Sequence, residues 1–199
     1  PGAKTVCYVN STAEVKAECD ICVTSGNAEK VMAAFSPDEK IIFVPDKHLG
    51  SHIASKLGRE YILWNGFCPI HAKLDAEMIA KVKSMHPGVK VLVHPESAKD
   101  VRDAADECLS TGGMCARAKN GAEKEFIVGT EIGILHRLQT ENPDKKFYPV
   151  CDCLICEDMK KTTLESLLVA LEGIKNEVKV PAEIAHPAKR AIEAMLALS

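Results

Sequence analysis

An internal repeat constrains this chain more than any other feature. Residues 1–27 lie over residues 87–113 at a constant offset of 86, without a gap. Eight positions are identical across the match: Pro1, Gly2, Lys4, Ser11, Val15, Asp20, Cys22 and Gly26 of the first copy. Glu14/Asp100, Lys16/Arg102, Thr24/Ser110 and Ser25/Thr111 are conservative pairs. The period is too long for a solenoid and reads as duplicated small domains. It also makes Tyr8 and Asn10 of one copy equivalent to His94 and Glu96 of the other.

Each copy alternates short apolar runs with amphipathic stretches, the pattern of βα units around a parallel sheet. Strands are expected at 5–9, 20–24, 40–44 and 61–64, and again at 89–93, 107–110, 126–128 and 146–148. Helices are expected between them, at 13–19, 27–35 and 48–57, then at 98–106, 114–118 and 133–139. Leu74, Met78, Ile79 and Val82 fall at helical spacing within 72–85, between the copies. That helix has no counterpart before Pro1, so the sequence is expected to begin within a repeat. Beyond Cys156 helices are expected at 163–172 and 187–198, with a short strand at 178–180. The expected fold is α/β, with duplicated three-layer αβα domains around parallel sheets. Residues 1–72 and 73–153 would form the repeats, and 154–199 a helical segment completing a first domain that the chain lacks.

The bulk composition excludes several classes of function. At 46% hydrophobic, 27% charged and a net charge of -3, the 199 residues carry no basic footprint for nucleic acid or an anionic membrane. No apolar run approaches the roughly 20 residues of a membrane-spanning helix. Nine cysteines in such a chain point to a metal protein rather than to a disulfide scaffold.

In open α/β sheets the ligand lies beyond the C-terminal ends of the strands. The repeat delivers Tyr8-Val9-Asn10, His94-Pro95-Glu96, Ser25 and Thr111 to such ends. Ser25 and Thr111 are expected helix caps, beside N–H groups that favour phosphate or carboxylate. His94 is a candidate hydrogen-bond donor and Glu96 a candidate general base. Cys68 follows the last strand of the first copy and Cys156 that of the second, so each copy presents a thiol at the same end of its sheet. Cys151 and Cys153 stand beside Cys156, whereas Cys19 and Cys22, with its equivalent Cys108, read as buried packing. No role is assigned to Cys7 or Cys115. Zinc is the rival metal, although structural zinc sites usually use tighter knuckles.

Several segments together resemble the quinolinate synthase family: Tyr-Val-Asn-Ser-Thr-Ala-Glu-Val-Lys-Ala from Tyr8, Val-Pro-Asp-Lys-His-Leu-Gly from Val44, Trp-Asn-Gly-Phe-Cys-Pro-Ile-His from Trp64, Val-His-Pro-Glu from Val93 and Cys-Glu-Asp-Met-Lys-Lys-Thr-Thr-Leu from Cys156. The resemblance runs over essentially the whole chain. It implies a cytoplasmic enzyme of NAD biosynthesis, of the transferase class, making quinolinate from iminoaspartate and dihydroxyacetone phosphate with loss of phosphate and water. It further implies three αβα domains around one [4Fe-4S] cluster, with Cys68 and Cys156 as ligands and a third Cys from the absent N-terminal domain. Tyr8, Val9, Asn10, Ser25, His94, Pro95, Glu96 and Thr111 would bind substrate, with Glu96, His94 and Tyr8 catalytic. A functional link to an L-aspartate oxidase or dehydrogenase is implied as well. The chain departs from the family pattern at His48, where Asn is usual, at Gly26 for Ala, at Glu157 for Pro and at Ser97 for a frequent Cys. With the first domain absent, the chain alone is expected to be inactive. The alternatives are a non-catalytic metal-binding scaffold, for zinc or an iron-sulfur cluster, and another cluster-dependent dehydratase.

Overall fold

The computed structural model describes residues 2–173 and 177–199, so Pro1 of the repeat lies outside the described residues. Two four-stranded, all-parallel sheets carry the chain, each flanked by helices. The first holds β1 (Lys4–Tyr8), β2 (Ile21–Val23), β3 (Ile41–Val44) and β4 (Ile62–Leu63), in the order β2-β1-β3-β4. The second holds β5 (Lys90–Val93), β6 (Glu107–Cys108), β7 (Glu125–Gly129) and β8 (Lys146–Pro149), in the order β6-β5-β7-β8. The topology is the same, and so is the register: Cys7 pairs with Cys22 in one sheet and Val93 with Cys108 in the other.

The residues shared by the copies have physical reasons to be shared. Gly2 and Gly88 both sit at positive φ, +82° and +81°, in open space, a conformation that glycine adopts without the steric cost other residues meet. Asp20 accepts a hydrogen bond from Thr5 N at 2.7 Å, and Asp106 accepts one from Val91 N at 2.9 Å. Each thereby fastens the start of its second strand to the first. Lys16 donates to Ser11 O at 2.6 Å, and its equivalent Arg102 to Ser97 O at 2.5 Å. The branched guanidinium of Arg102 does more. It also donates to His48 O (3.3 Å) and Ser51 Oγ (3.2 Å), tying the second lobe to a helix of the first.

The helices follow the expected order: α1 (Ala13–Ala17), α2 (Ala28–Ala33), α3 (Lys47–Leu57), α4 (Ala76–Met85), α5 (Lys99–Ala104), α6 (Thr111–Asn120), α7 (Ile134–Glu141), α8 (Leu164–Gly173) and α9 (Ala182–Leu198). The two caps fall elsewhere than expected. Asn27, with no side-chain cap bond, opens α2, whereas Ser110 caps α6 by accepting from Gly113 N at 3.1 Å, so Thr111 is the first helical residue. Ser25 is therefore free of capping duty. The strand expected at 178–180 does not form, and α9 starts five residues before Pro187, which it accommodates near its N-terminus.

The first sheet's core packs Val6, Cys7, Cys22, Phe43 and Leu49 with Ala191 and Met195 of α9. The C-terminal helix thus closes the first lobe although the second lies between them in sequence. Leu154 belongs to the core of the second lobe. Helix α8 buries none of its residues among the described part of the chain. No described helix is long and apolar enough to cross a membrane.

Candidate functional site

The strand ends of both lobes meet at one cavity of about 830 Å³, lined among others by Tyr8, Asn10, Cys68, His71, Glu96 and Cys156. This follows from the repeat, because equivalent sheets that face each other across a cleft turn equivalent strand ends toward it. Ser25 of the first lobe reaches His94 of the second, Oγ to Nε2, at 3.3 Å. His94 Nδ1 lies 3.3 Å from Glu96 N, which donates to it, while Nε2 faces Ser25. Val9 is half-buried against the first core, its N–H donating to Val23 O at 2.9 Å. Pro95 is buried and Thr111 exposed in the first turn of α6, and neither of them, nor Val9, Ser25 or His94, is among the cavity-lining residues.

Glu96 is the electrostatic centre of the site. It is 6% exposed, and its Oε2 lies 2.8 Å from His71 Nδ1 and 3.4 Å from His94 Nδ1. The two imidazoles stack with centroids 4.7 Å apart. Burial pushes the Glu96 carboxyl up, but the two imidazoles beside it, His71 first and then His94, outweigh that and hold the group well below the usual carboxylate range. Burial likewise disfavours the His71 cation, yet the Cys68 thiol and Glu96 carboxylate beside it hold its pKa up at about 9. Tyr8 is shifted upward by burial and by the Glu96 charge, against a smaller opposing effect of Ser25. At neutral pH the site therefore holds an anionic carboxylate facing a protonated phenol.

His71 is the residue that reading the sequence leaves without a role. It closes the motif Cys68-Pro-Ile-His71, in a short 3-10 turn that sets the ring under Glu96. Its Nε2 contacts Thr130 Oγ1 at 2.8 Å, while Nδ1, though close to Glu96, is out of line for a hydrogen bond. The ligand atoms of Cys68, His71 and Glu96 lie within 4.8 Å of one another.

Cys68 and Cys156 are both free thiols, half-buried at the cavity wall. Cys151 and Cys153 form a disulfide with each other. Cys7, Cys22 and Cys115 are buried in the cores, and Cys19 and Cys108 pack half-buried against them. Free thiols on this cavity, one from each lobe and each at the end of its sheet, are the type of donor an iron-sulfur cluster takes, but two fall short of the three or four thiolates such a cluster needs.

Two similar parallel α/β lobes with a cleft lined by a carboxylate, an imidazole, a phenol and two thiols belong to the class of α/β proteins that bind a small polar molecule beyond their strand ends. The comparisons with known proteins give the family. The chain matches the model described as NadA, Quinolinate synthetase A protein, over residues 1–197, and it belongs to that family. It is 50% identical over 196 residues to a quinolinate synthase of Dehalococcoides mccartyi, covering 98% of this chain and 65% of that protein. The quinolinate synthases of Methanoregula boonei (48% over 198 residues) and Thermodesulfovibrio yellowstonii (47% over 199) match 100% of this chain and 65% of their own lengths. The chain thus spans about 65% of the length of these relatives.

Proposed function

We propose that this chain carries two lobes of a quinolinate synthase and the greater part of its active site. The reaction would join iminoaspartate to dihydroxyacetone phosphate and release phosphate and water. The observation that carries the reading is the meeting of Tyr8, Asn10, Glu96, Cys68 and Cys156, from equivalent strand ends of both copies, on one cavity. The family membership of the chain supports it.

In this reading Glu96 is the acid/base residue; His71 and His94 keep it anionic in the unloaded site, which also lowers its basicity until substrate changes its surroundings. Tyr8, kept protonated by burial, donates a hydrogen bond to a developing oxyanion. His94 Nε2 and Ser25 Oγ bridge the lobes and orient the substrate between them. Asn10 and Thr111 offer donors to a carboxylate or phosphate, and Val9 and Pro95 contact the substrate beside them. Cys68 and Cys156 would hold a [4Fe-4S] cluster, with the third thiolate coming from the part of the relatives that the chain does not match. When bound, such a cluster supplies an open iron as a Lewis acid toward a substrate oxygen. The division at residues 72 and 153 belongs to the same proposal, except that α9 of the segment 154–199 packs on the first lobe rather than completing a further domain. The cytoplasmic location and a supply of iminoaspartate by an L-aspartate oxidase or dehydrogenase belong to it as well.

A second reading is a single divalent ion such as zinc on Cys68, His71 and Glu96. The mutual approach of their ligand atoms within 4.8 Å favours it, as does Thr130 occupying the other ring nitrogen of His71. Anaerobic loading separates the two. A cluster requires Cys156 and brings inorganic sulfide, whereas a zinc site requires His71 and is indifferent to Cys156.

A further inference from the structure

Each candidate ligand cysteine sits in a backbone arrangement that the molecule builds twice. In the first lobe Lys47 N donates to Gly66 O at 2.9 Å, and Cys68 N donates to Asp46 Oδ2 at 3.0 Å. In the second, Ile132 N donates to Leu154 O at 2.9 Å, and Cys156 N donates to Glu131 Oε1 at 3.4 Å. The turn after each cysteine is closed the same way, by Ala72 N on Cys68 O (3.0 Å) and Lys160 N on Cys156 O (3.3 Å). Asp46 and Glu131 each stand two residues past the end of the third strand of their lobe, β3 and β7. They are 4% and 8% exposed. The second oxygen of each holds the start of the following helix, Asp46 Oδ1 accepting from Leu49 N at 2.7 Å and Glu131 Oε2 from Gly133 N at 2.8 Å. The acids differ in length because they reach different donors, three residues on for Asp46 and two residues on for Glu131.

We propose that Asp46 and Glu131 are paired positioning residues that clasp the Cys68 and Cys156 loops to the scaffold and set both thiols on the cavity before any cofactor arrives. The two lobes keep the cysteine and helix bonds although the residue type changed from Asp to Glu, so what is retained is a carboxylate with one oxygen for the helix and one for the cysteine. In the second lobe that latter oxygen, Glu131 Oε1, also pairs with Lys160 Nζ at 3.1 Å. Such a clasp bears the entropic cost of ordering the ligand loop during folding rather than at cofactor binding. It also commits the cysteine N–H to a carboxylate, so that N–H is not available to the sulfur.

The inference rests on the proposed assignment of Cys68 and Cys156 as ligands, but its test runs first on reduced, metal-free protein. Asp46→Asn is the informative variant. Asn caps helices as well as Asp, so its single acceptor oxygen can keep Leu49 while its NH₂ faces the Cys68 N–H. Glu131→Gln does the same for Cys156. Amide hydrogen exchange at Cys68 should accelerate roughly ten- to a hundredfold in Asp46→Asn, the loss expected of a hydrogen bond to a charged acceptor, with Cys156 unchanged. Glu131→Gln should show the reverse. Iodoacetamide labelling of the two thiols should shift with the same selectivity, and unfolding midpoints should stay close to wild type. In cofactor-loaded protein each variant should weaken iron retention roughly 10- to 100-fold, the usual effect of losing an outer-shell partner. Unchanged exchange at both cysteines would overturn the proposal, as would both accelerating together in either variant. If exchange responds as expected but Cys156→Ser keeps a full cluster, the clasp stands and the ligand assignment falls.

Discussion

Replacing His71 by Gln should change how stability depends on pH, by an amount the structure sets. His71 Nδ1 lies 2.8 Å from the buried Glu96 carboxylate, and its pKa in the folded chain is held at about 9 against an ordinary 6.5. A histidine whose folded pKa is raised contributes stability that is complete below its unfolded pKa and disappears as pH climbs through the folded one. At about 1.36 kcal/mol for each pH unit between the two values, roughly 2.5 kcal/mol is present near pH 7 and almost none near pH 10. The introduced amide can still meet Thr130 but does not titrate. The stability gap between wild type and His71→Gln should therefore shrink by about 2.5 kcal/mol over that range. The assay is urea unfolding of both proteins under reducing, chelated conditions. With about 2 kcal/mol per M of urea, the difference in midpoints should narrow by roughly 1 M. Curves that stay a constant distance apart from pH 7 to pH 10 would refute the reasoning, because the imidazole would then not be charged in the folded chain.

Other expectations follow from single features. Ser97 is fully buried, and its hydroxyl has no hydrogen-bond partner among the described residues. Ser97→Cys, which removes an unsatisfied polar group at nearly constant volume, should therefore raise stability by about 1 kcal/mol in urea unfolding. Gly88→Ala places a side chain at φ +81° with open space around it, so backbone strain alone should cost about 1–2 kcal/mol. Gly66→Ala should cost more, since its Cβ would meet Pro45 O at 2.3 Å, and it should disturb thiol labelling at Cys68, whose loop that close approach holds. Met195→Ala empties a buried site where α9 meets the first core and should cost about 2–5 kcal/mol, with α9 the first element released in limited proteolysis.

The parts of the molecule legible in its sequence are those where one residue type answers one local demand. The duplicated topology is readable because Gly2, Asp20, Lys16 and their partners recur at a fixed offset, and each performs the same bond or turn in both lobes. Asn10 and Glu96 can be paired across the cleft on that ground alone. Asp46 and Glu131 escape such a reading because their equivalence lies beyond the match that ends at residue 113, with a changed residue type. His71 stands inside a motif but has no role until the fold places Glu96, 25 residues away, against its ring. The caps are ambiguous in sequence because Thr24-Ser25 and Ser110-Thr111 each offer two adjacent hydroxyls. Only the backbone path decides which one turns back to the helix, and in the second lobe it is Ser110. The early start of α9 is hidden because Pro187 reads as a helix start, whereas tertiary packing on the first sheet carries the helix through it.

The central claim is that Cys68 and Cys156 serve a quinolinate-forming iron-sulfur site. Its most direct test is anaerobic reconstitution of this chain, supplemented with the part of the Methanoregula boonei enzyme that it does not match. Iron, sulfide and quinolinate would be measured for wild type, Cys68→Ser and Cys156→Ser. The account predicts a cluster and quinolinate from the wild type and neither from the two variants. A full cluster and undiminished quinolinate formation in either variant would contradict it.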